Sequence, residues 1–306
     1  IESINFKKDS TLAMMLEAQS REHQLYYMTP DSLYINEGGA FATAKTLEVK
    51  NDPIRWFEFK KEIKIKLSEL DVILMRQDPP FNSNFIYNTY VLESAEREGV
   101  LVINKPASLR DCNEKVFATE FPDCCTPFLV TSNTSLLRSF IDEHKDTVVK
   151  PLDGMGGSSI FRIRNSDPNL NVILETVTES YSTKVMIQTY IPEIIDGDKR
   201  ILLINGTPMN AAVARVPAEG ELRGNLAAGA SAVARSLTEK DLWICEQVGP
   251  KLKQLGLVLV GIDIIGDYLT EINVTSPTCF REYDNLCDID VAFNLLEVIE
   301  GLHNND

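Results

Sequence analysis

The stretch LVLVGIDIIGDYLTEINV, residues 257–274, sets two apolar runs on either side of a Gly-Asp turn and admits few folds. Each run suits one buried strand, and the pair reads as an antiparallel hairpin turning at Gly266-Asp267. On the second strand Glu271 and Asn273 stand two apart, so both project from one face while Ile272 projects from the other. Asp263 joins them opposite Glu271 only if the pairing centres on Asp267, which requires a three-residue or bulged turn rather than a two-residue one. We expect that turn. Three hard oxygen donors on one face suit Mg²⁺ held between protein carboxylates and substrate phosphates. A solvated hairpin face would carry mixed charges including lysine, whereas the neighbours here are apolar.

Upstream, VVKPLDGMGGSSI (residues 148–160) ends an apolar run on Lys150 and continues into Gly154, Gly156, Gly157 and Ser158. Such a loop lets backbone N–H groups approach an anion closely, with the lysine as a point charge beside it. It is not a Walker A loop, because the lysine precedes the glycines and no G-K-[ST] follows. A plain hairpin turn with glycines at positive φ is the competing reading of this loop alone.

Cations are informative here because the chain is acidic, with a formal charge of −15 over 306 residues and a pI near 4.7. That charge disfavours general nucleic-acid binding, so an anionic small ligand must be met by local lysines and arginines. Candidates are Asp198-Lys199-Arg200, Arg215, Arg223 with Asn225, and Arg281. Arg215 follows the apolar run Ala211 to Ala214 and would end a strand near the sheet carrying Asp263, where a guanidinium could clamp a phosphate or a developing oxyanion. Phosphate loop, metal carboxylates and arginines together fit phosphoryl transfer. No Ser-His-Asp set competes, since His23, His144 and His303 fall on polar faces or at the terminus. The six cysteines show no CxxC pair and read as reduced thiols. The longest apolar runs stop short of the roughly 20 residues of a membrane span. The chain opens at Ile1, which leaves a preceding segment open.

Strands and helices alternate, which predicts α/β architecture. Asp9 or Ser10 caps a first helix, and Gln24 to Met28 reads as a strand. Phe41 to Val49 follows the Glu37-Gly38-Gly39 turn, and Asp71 to Arg76 is a buried strand ending at Asp78-Pro79-Pro80. Phe85 to Gly99 is a helix and Val100 to Asn104 a strand, so the first third resembles a small doubly wound sheet. Asn113 to Phe121 and Leu136 to Glu143 read as helical. Phe128 to Thr131, Thr147 to Lys150, Phe161 to Arg164 and Val185 to Tyr190 read as extended. Arg200 to Asn205 and Pro208 to Val216 flank Gly206 as a hairpin, Thr238 caps a helix running to Leu255, and Val291 to Leu302 is a closing helix.

Lys115, Lys150 before DGMGG, and Asp263, Glu271 and Asn273 resemble the ATP-grasp superfamily. Within it, the strings NKPASLRDCNEK, KPLDGMGGSSIFR, DGDKR, RGNLAAG and VGIDIIGDYLTEINVTSPT are similar to the bacterial glutathione synthetase family over essentially the whole chain. The resemblance implies a Rossmann-like N-terminal domain (1–112, its first strand absent), an ATP-grasp lid subdomain (113–190) and a C-terminal subdomain (191–306), the latter two clamping ATP. It implies ligation of γ-glutamylcysteine to glycine through an acyl phosphate, with ATP cleaved to ADP and phosphate and Mg²⁺ or Mn²⁺ as cofactor.

Carried over residue by residue, Lys115 and Lys150 would contact the ATP phosphates, and Gly154 to Ser158 would close over them. Gln188, Tyr190 and Ile191 would line the adenine pocket, Asp198 the ribose side, and Asp263, Glu271 and Asn273 would hold the metal. Arg200, Arg215 and Arg223, with Asn225, would serve the reaction centre, and Ser276 and Arg281 the substrate. Gly220 to Ala230 would act as a flap, although the continuation ASAVAR (230–235) departs from the family's glycine- and charge-rich pattern. A cytoplasmic homotetramer is implied by the same resemblance, with Phe6, Leu33 and Tyr34 open to a subunit contact. Two other readings stand beside it. One is an ATP-grasp ligase of D-alanine or glutamate type; the other is an ATP-binding regulator without turnover, which would predict loss of a metal carboxylate.

Overall fold

The computed structural model describes residues 1–154, 157–218, 220, 221, 224 and 229–304. Asp9 caps helix α1 (Ser10–Ser20) by accepting from the Leu12 amide. Four antiparallel strands follow: β1 (Leu25–Tyr27), β2 (Leu33–Asn36), β3 (Gly39–Val49) and β4 (Phe57–Lys66), with the long β3 pairing with each of the others. Strand β4 goes beyond the sequence expectation, although Phe57, Phe59, Ile63 and Ile65 alternate with charged residues in the period of a half-exposed strand. Then β5 (Val72–Leu74), helix α2 (Ser83–Arg97) and β6 (Leu101–Ile103) form one parallel β–α–β unit. Among the described residues this two-stranded unit is the parallel part of the region, so the expected doubly wound sheet is replaced by a four-stranded antiparallel sheet beside one β–α–β unit.

Helix α3 (Pro106–Asp111) leads into residues 113–121, which are not the expected α-helix and hold a 3₁₀ turn at Phe117–Glu120. The Asn113 side chain accepts from the Lys115 and Val116 amides, and the Glu114 carbonyl accepts from the Ile272 amide at 2.8 Å. A carbonyl committed across the fold cannot join a helical ladder.

The second sheet has β7 (Phe128–Thr131), then helix α4 (Thr134–His144), β8 (Asp146–Pro151), β9 (Phe161–Arg164), helix α5 (Leu170–Val177) and β10 (Val185–Thr189). Its strand order is β7-β10-β8-β9, all antiparallel. Alternation assigns its faces: Val149, Ile163, Val185 and Ile187 pack with Leu137, Ile141 and Leu174 of the two helices. The intervening positions, Val148, Lys150 and Gln188, face the other way.

The third sheet comprises β11 (Asp198–Ile204), β12 (Thr207–Pro208), β13 (Ala212–Val216), β14 (Ser231–Arg235), β15 (Leu259–Ile265) and β16 (Tyr268–Asn273), in the order β14-β13-β11-β15-β16 with β12 on β11. Helix α6 (Glu239–Gln254), capped by Thr238, precedes β15, and α7 (Phe280–Cys287) and α8 (Val291–His303) close the chain. Ile201 and Leu203 share a core with Ile244 and Val248 of α6, while Leu202 and Ile204 share one with Phe280 and Leu295. Asp198 and Arg200 continue that second face past the helices into an open cleft. Asn104, just after β6, donates to the Leu259 and Val274 carbonyls at 2.7 Å each and accepts from the Leu259 amide at 2.8 Å. This buried, fully used amide fastens the N-terminal region to β15 and the end of β16. The six cysteines are free. Among the described residues no helix is long and apolar enough to cross a membrane.

Candidate functional site

The second and third sheets face each other across a cavity of about 640 Å³. Its floor is set by the register of β15 and β16: Asp263 pairs with Glu271, and Ile264 pairs with Leu269. The turn itself is the two-residue one that the spacing argued against, and a bulge at Thr270 supplies the offset that sets Asp263 opposite Glu271. The Thr270 hydroxyl donates to the Asp263 carbonyl at 3.1 Å, and the Thr270 carbonyl accepts from Lys150 Nζ at 3.2 Å. The bulge thus also anchors the lysine that arrives from the opposite sheet.

Asp263 is buried and bound on both oxygens. Arg200 engages it through Nε at 2.5 Å and Nη2 at 2.9 Å, and Arg215 Nη2 lies 2.9 Å from Oδ2. Asn273 Nδ2 donates to the same Oδ2 at 3.1 Å. Burial opposes the Asp263 charge, but the two guanidinium groups outweigh it and hold its pKa down at about 2. Arg215 also pairs with Asp198. Burial pushes Asp198 up to about 7 against the pull of Arg215, with Asp263 and Glu271 adding to the rise. One oxygen of Asp198, Oδ1, has no hydrogen-bond partner among the described residues. Gly261 gives Arg200 room to cross β15, because a Cβ there would lie 2.9 Å from Arg200 Cδ. Gly261→Ala is expected to lower stability by about 1–3 kcal/mol, read as the unfolding midpoint in denaturant, as the guanidinium is forced off Asp263.

Two lysines converge on Glu271. Lys115 Nζ lies 3.8 Å and Lys150 Nζ 3.7 Å from its Oε1. Lys115 also pairs with Glu114 and donates to the Gly154 carbonyl at 2.8 Å. Burial lowers the pKa of Lys150, with Glu271 opposing and Lys115 reinforcing. For Lys115 burial is again the largest influence, but Glu271 and Glu114 outweigh it and raise the pKa. Glu114 is itself raised by burial and by Glu271. Glu114 and Glu271 balance the two desolvated ammonium groups, whose N–H donors a polyphosphate could accept from.

The far end of the cavity is walled by Val148, Phe161, Gln188, Tyr190, Ile191, Ile194 and Ile265. Arg162 stacks over the Tyr190 ring at 3.5 Å and is held by Asp146 through bonds of 2.8 and 2.6 Å. A flat heteroaromatic ring fits such a slot.

Of the residues singled out in the sequence, Lys150, Gly154, Gly157, Gln188, Tyr190, Ile191, Asp198, Arg200, Arg215, Asp263, Glu271, Asn273 and Ser276 line this one cavity. Lys115 reaches it through Glu271 and Gly154. Ser158 is exposed and off the wall, where Ser159 stands instead, and Arg281 pairs with Asp284 at 3.6 Å on α7 and is off the wall too. Gly156, Arg223 and Asn225 lie outside the described residues, as does much of the 220–230 segment. Gly224 between them packs against Asp198 and Arg215, where a Cβ would meet Asp198 Cβ at 2.8 Å. Sequence reasoning missed Glu114, Arg162 and Asp78 on the wall. Arg162 had a readable signal, because it follows the glycine loop on a strand paired to Val148. Glu114 and Asp78 had none.

Asp263, Glu271 and Asn273, two carboxylates and an amide, could hold a cation here. No group of three or more His, Cys, Asp or Glu able to hold a metal ion occurs among the described residues. A hard cation would therefore complete its shell with phosphate oxygens and water, the habit of Mg²⁺ rather than of a soft metal.

Comparison with known proteins gives a consistent result. Residues 1–110 match the N-terminal domain of prokaryotic glutathione synthetase, and residues 114–288 match its ATP-grasp domain. The glutathione synthetase of Pseudomonas putida is 57% identical over 300 residues, covering 98% of this chain and 95% of that protein. That of Escherichia coli is 52% identical over 301 residues, with 98% and 95% covered. Among solved structures, the ATP-grasp ligase PsnB in complex with a minimal precursor superposes with a TM-score of 0.63 at 18% identity, over 95% of this chain and 94% of that one. The D-cycloserine synthetase DcsG superposes with a TM-score of 0.60 at 16% identity, over 79% and 86%. These two likenesses concern the fold.

Proposed function

Because the chain belongs to the prokaryotic glutathione synthetase family, we propose that its cleft ligates γ-glutamylcysteine to glycine, with ATP cleaved to ADP and phosphate. The observation that carries the reading is the meeting of Lys115, Lys150 and Glu271 with Asp263 and Asn273 at one end of a cavity whose other end is a flat apolar slot.

A carboxylate is a poor acyl donor, and phosphorylation gives it a leaving group. The cysteine carboxylate of the dipeptide takes the γ-phosphoryl group of ATP. Glycine's amine then attacks the acyl carbon, the C–N bond forms, the C–O bond to phosphate breaks, and the amine releases a proton. Two anions must approach for the first step, and Lys115 and Lys150 would offset their repulsion by fixed charge. Asp263, Glu271 and Asn273 would hold Mg²⁺, which when bound supplies Lewis-acid stabilisation of the transferring phosphoryl oxygens. Arg200 and Arg215 would keep Asp263 ionised and aimed. Gln188, Tyr190 and Ile191 would seat the adenine, and the unpartnered oxygen of Asp198 would accept from a ribose hydroxyl. Arg223 and Asn225, which lie outside the described residues, would serve the reaction centre by the family resemblance. A homotetramer is part of this reading by family analogy.

ADP release tests it directly. With Mg²⁺ and ATP, release should require γ-glutamylcysteine and glycine together and should fail with D-alanine or glutamate as acceptor. Release that depends on one of those acceptors instead would sink the substrate assignment, and ATP binding without release would sink the ligase.

A further inference from the structure

We propose that Asp78 is a specificity-determining residue that binds the α-ammonium group of the γ-glutamyl moiety; this rests on the ligase reading above. Six acidic residues line the cavity. Four of them are committed to cations of the site: Glu114 to Lys115, Asp198 to Arg215, Asp263 to Arg200 and Arg215, and Glu271 to the two lysines. A fifth, Glu221, also has a partner. Asp78 differs. It is exposed to the cavity and, among the described residues, no hydrogen bond or salt bridge ties up its carboxylate. Arg76 acts on it through space without bonding to it: that guanidinium donates to the Pro277 carbonyl at 2.9 Å and the Thr11 hydroxyl at 3.1 Å, and its Nη1 has no hydrogen-bond partner among the described residues.

The loop bearing Asp78 is built to hold position. Ser276 donates to the Gln77 carbonyl at 3.2 Å, Asn88 donates to the Gln77 side chain at 2.9 Å, and Arg76 grips Pro277. Ser276 and Pro277 follow Asn273 of the cation site by only a few residues. The N-terminal region therefore supplies an anionic group at a fixed place on the wall just past the phosphoryl-transfer end.

Two amines must enter this end of the cavity. Glycine's amine is the nucleophile and has to sit against the acyl carbon, shielded from water. The dipeptide's α-ammonium is seven bonds from the reacting carboxyl carbon, about 8–9 Å in an extended chain, and stays charged throughout. An exposed carboxylate on the rim suits the second and not the first. Holding a permanent cation there would also reject acyl donors that lack one.

The test compares γ-glutamylcysteine with N-glutarylcysteine, which differs by the missing amino group, in steady-state ADP release at saturating ATP and glycine. The wild-type protein is expected to favour γ-glutamylcysteine by about 10- to 100-fold in kcat/KM, the scale of one charge-assisted hydrogen bond. In Asp78→Asn that preference should collapse, through a higher KM for γ-glutamylcysteine with the KM values for ATP and glycine unmoved, and Asp78→Glu should restore part of it. Asp78→Ser serves as a second removal of the charge should the Asn variant fold poorly. A variant that still discriminates like the wild type overturns the proposal. So does equal loss on both acyl donors, or a rise confined to the KM for glycine. A wild-type protein that turns over neither dipeptide overturns the ligase reading itself, and is recognised as such before any variant is made.

Discussion

Glu271→Gln is expected to lower the rate of ADP release by about 10²- to 10³-fold, the scale seen when one preorganised electrostatic group is removed from a reaction centre. Its carboxylate is the shared neighbour of Lys115 and Lys150, at 3.8 and 3.7 Å, and stands opposite Asp263 on the β15–β16 hairpin. The amide keeps the shape but removes one of two anionic donors for a divalent cation, and it leaves the two ammonium groups with Glu114 as their remaining carboxylate. The side chain is 21% exposed, so the stability cost should stay at about 1 kcal/mol. Raising Mg²⁺ should recover part of the lost rate, as expected of weakened cation binding. A variant with wild-type turnover at low Mg²⁺ would remove Glu271 from the site.

Asp263→Ala should instead cost both activity and folding. Removal of the carboxylate strands buried Arg200 and leaves buried Arg215 with Asp198 alone. Breaking a buried pair from one side costs about 3–5 kcal/mol, or a fall in Tm of roughly 5–8 °C for a chain of this size. The pH dependence has a defined sign. The folded pKa, about 2, is depressed relative to an ordinary carboxylate near 4. The contribution is therefore fully present above about pH 4 and is lost as pH falls toward about 2. Stability curves of the wild-type protein and Asp263→Asn should converge across that window. Parallel curves would mean that the arginines find another counter-charge.

Much of the site was legible because it obeys local periodicities. Glu271 and Asn273 share a face by the two-residue repeat of a strand, and the bulge at Thr270 followed from the requirement that Asp263 oppose Glu271. Lys150 precedes a glycine loop that proves to be both a hairpin connection, between β8 and β9, and part of the cavity wall. Strand β4 was legible and overlooked. Residues 113–121 misled for a physical reason: the composition suits a helix, but the Glu114 carbonyl accepts from Ile272, on a strand more than 150 positions away.

The sequence by itself determined the alternation of the strands, the hairpin that carries Asp263, Glu271 and Asn273, and the placing of a lysine ahead of a glycine loop, because each depends on neighbours within a few residues. Tertiary structure decided which charges balance which. Asp263 meets Arg200 and Arg215 only through the order β13-β11-β15. Glu114 reaches Lys150 and Glu271 only through the bond to Ile272, and Asp78 reaches the wall only because Arg76 and Gln77 latch onto the segment after Asn273. Electrostatic balance in a desolvated cleft is set by distance in space, and distances between elements far apart in sequence are fixed by packing rather than by any periodicity along the chain.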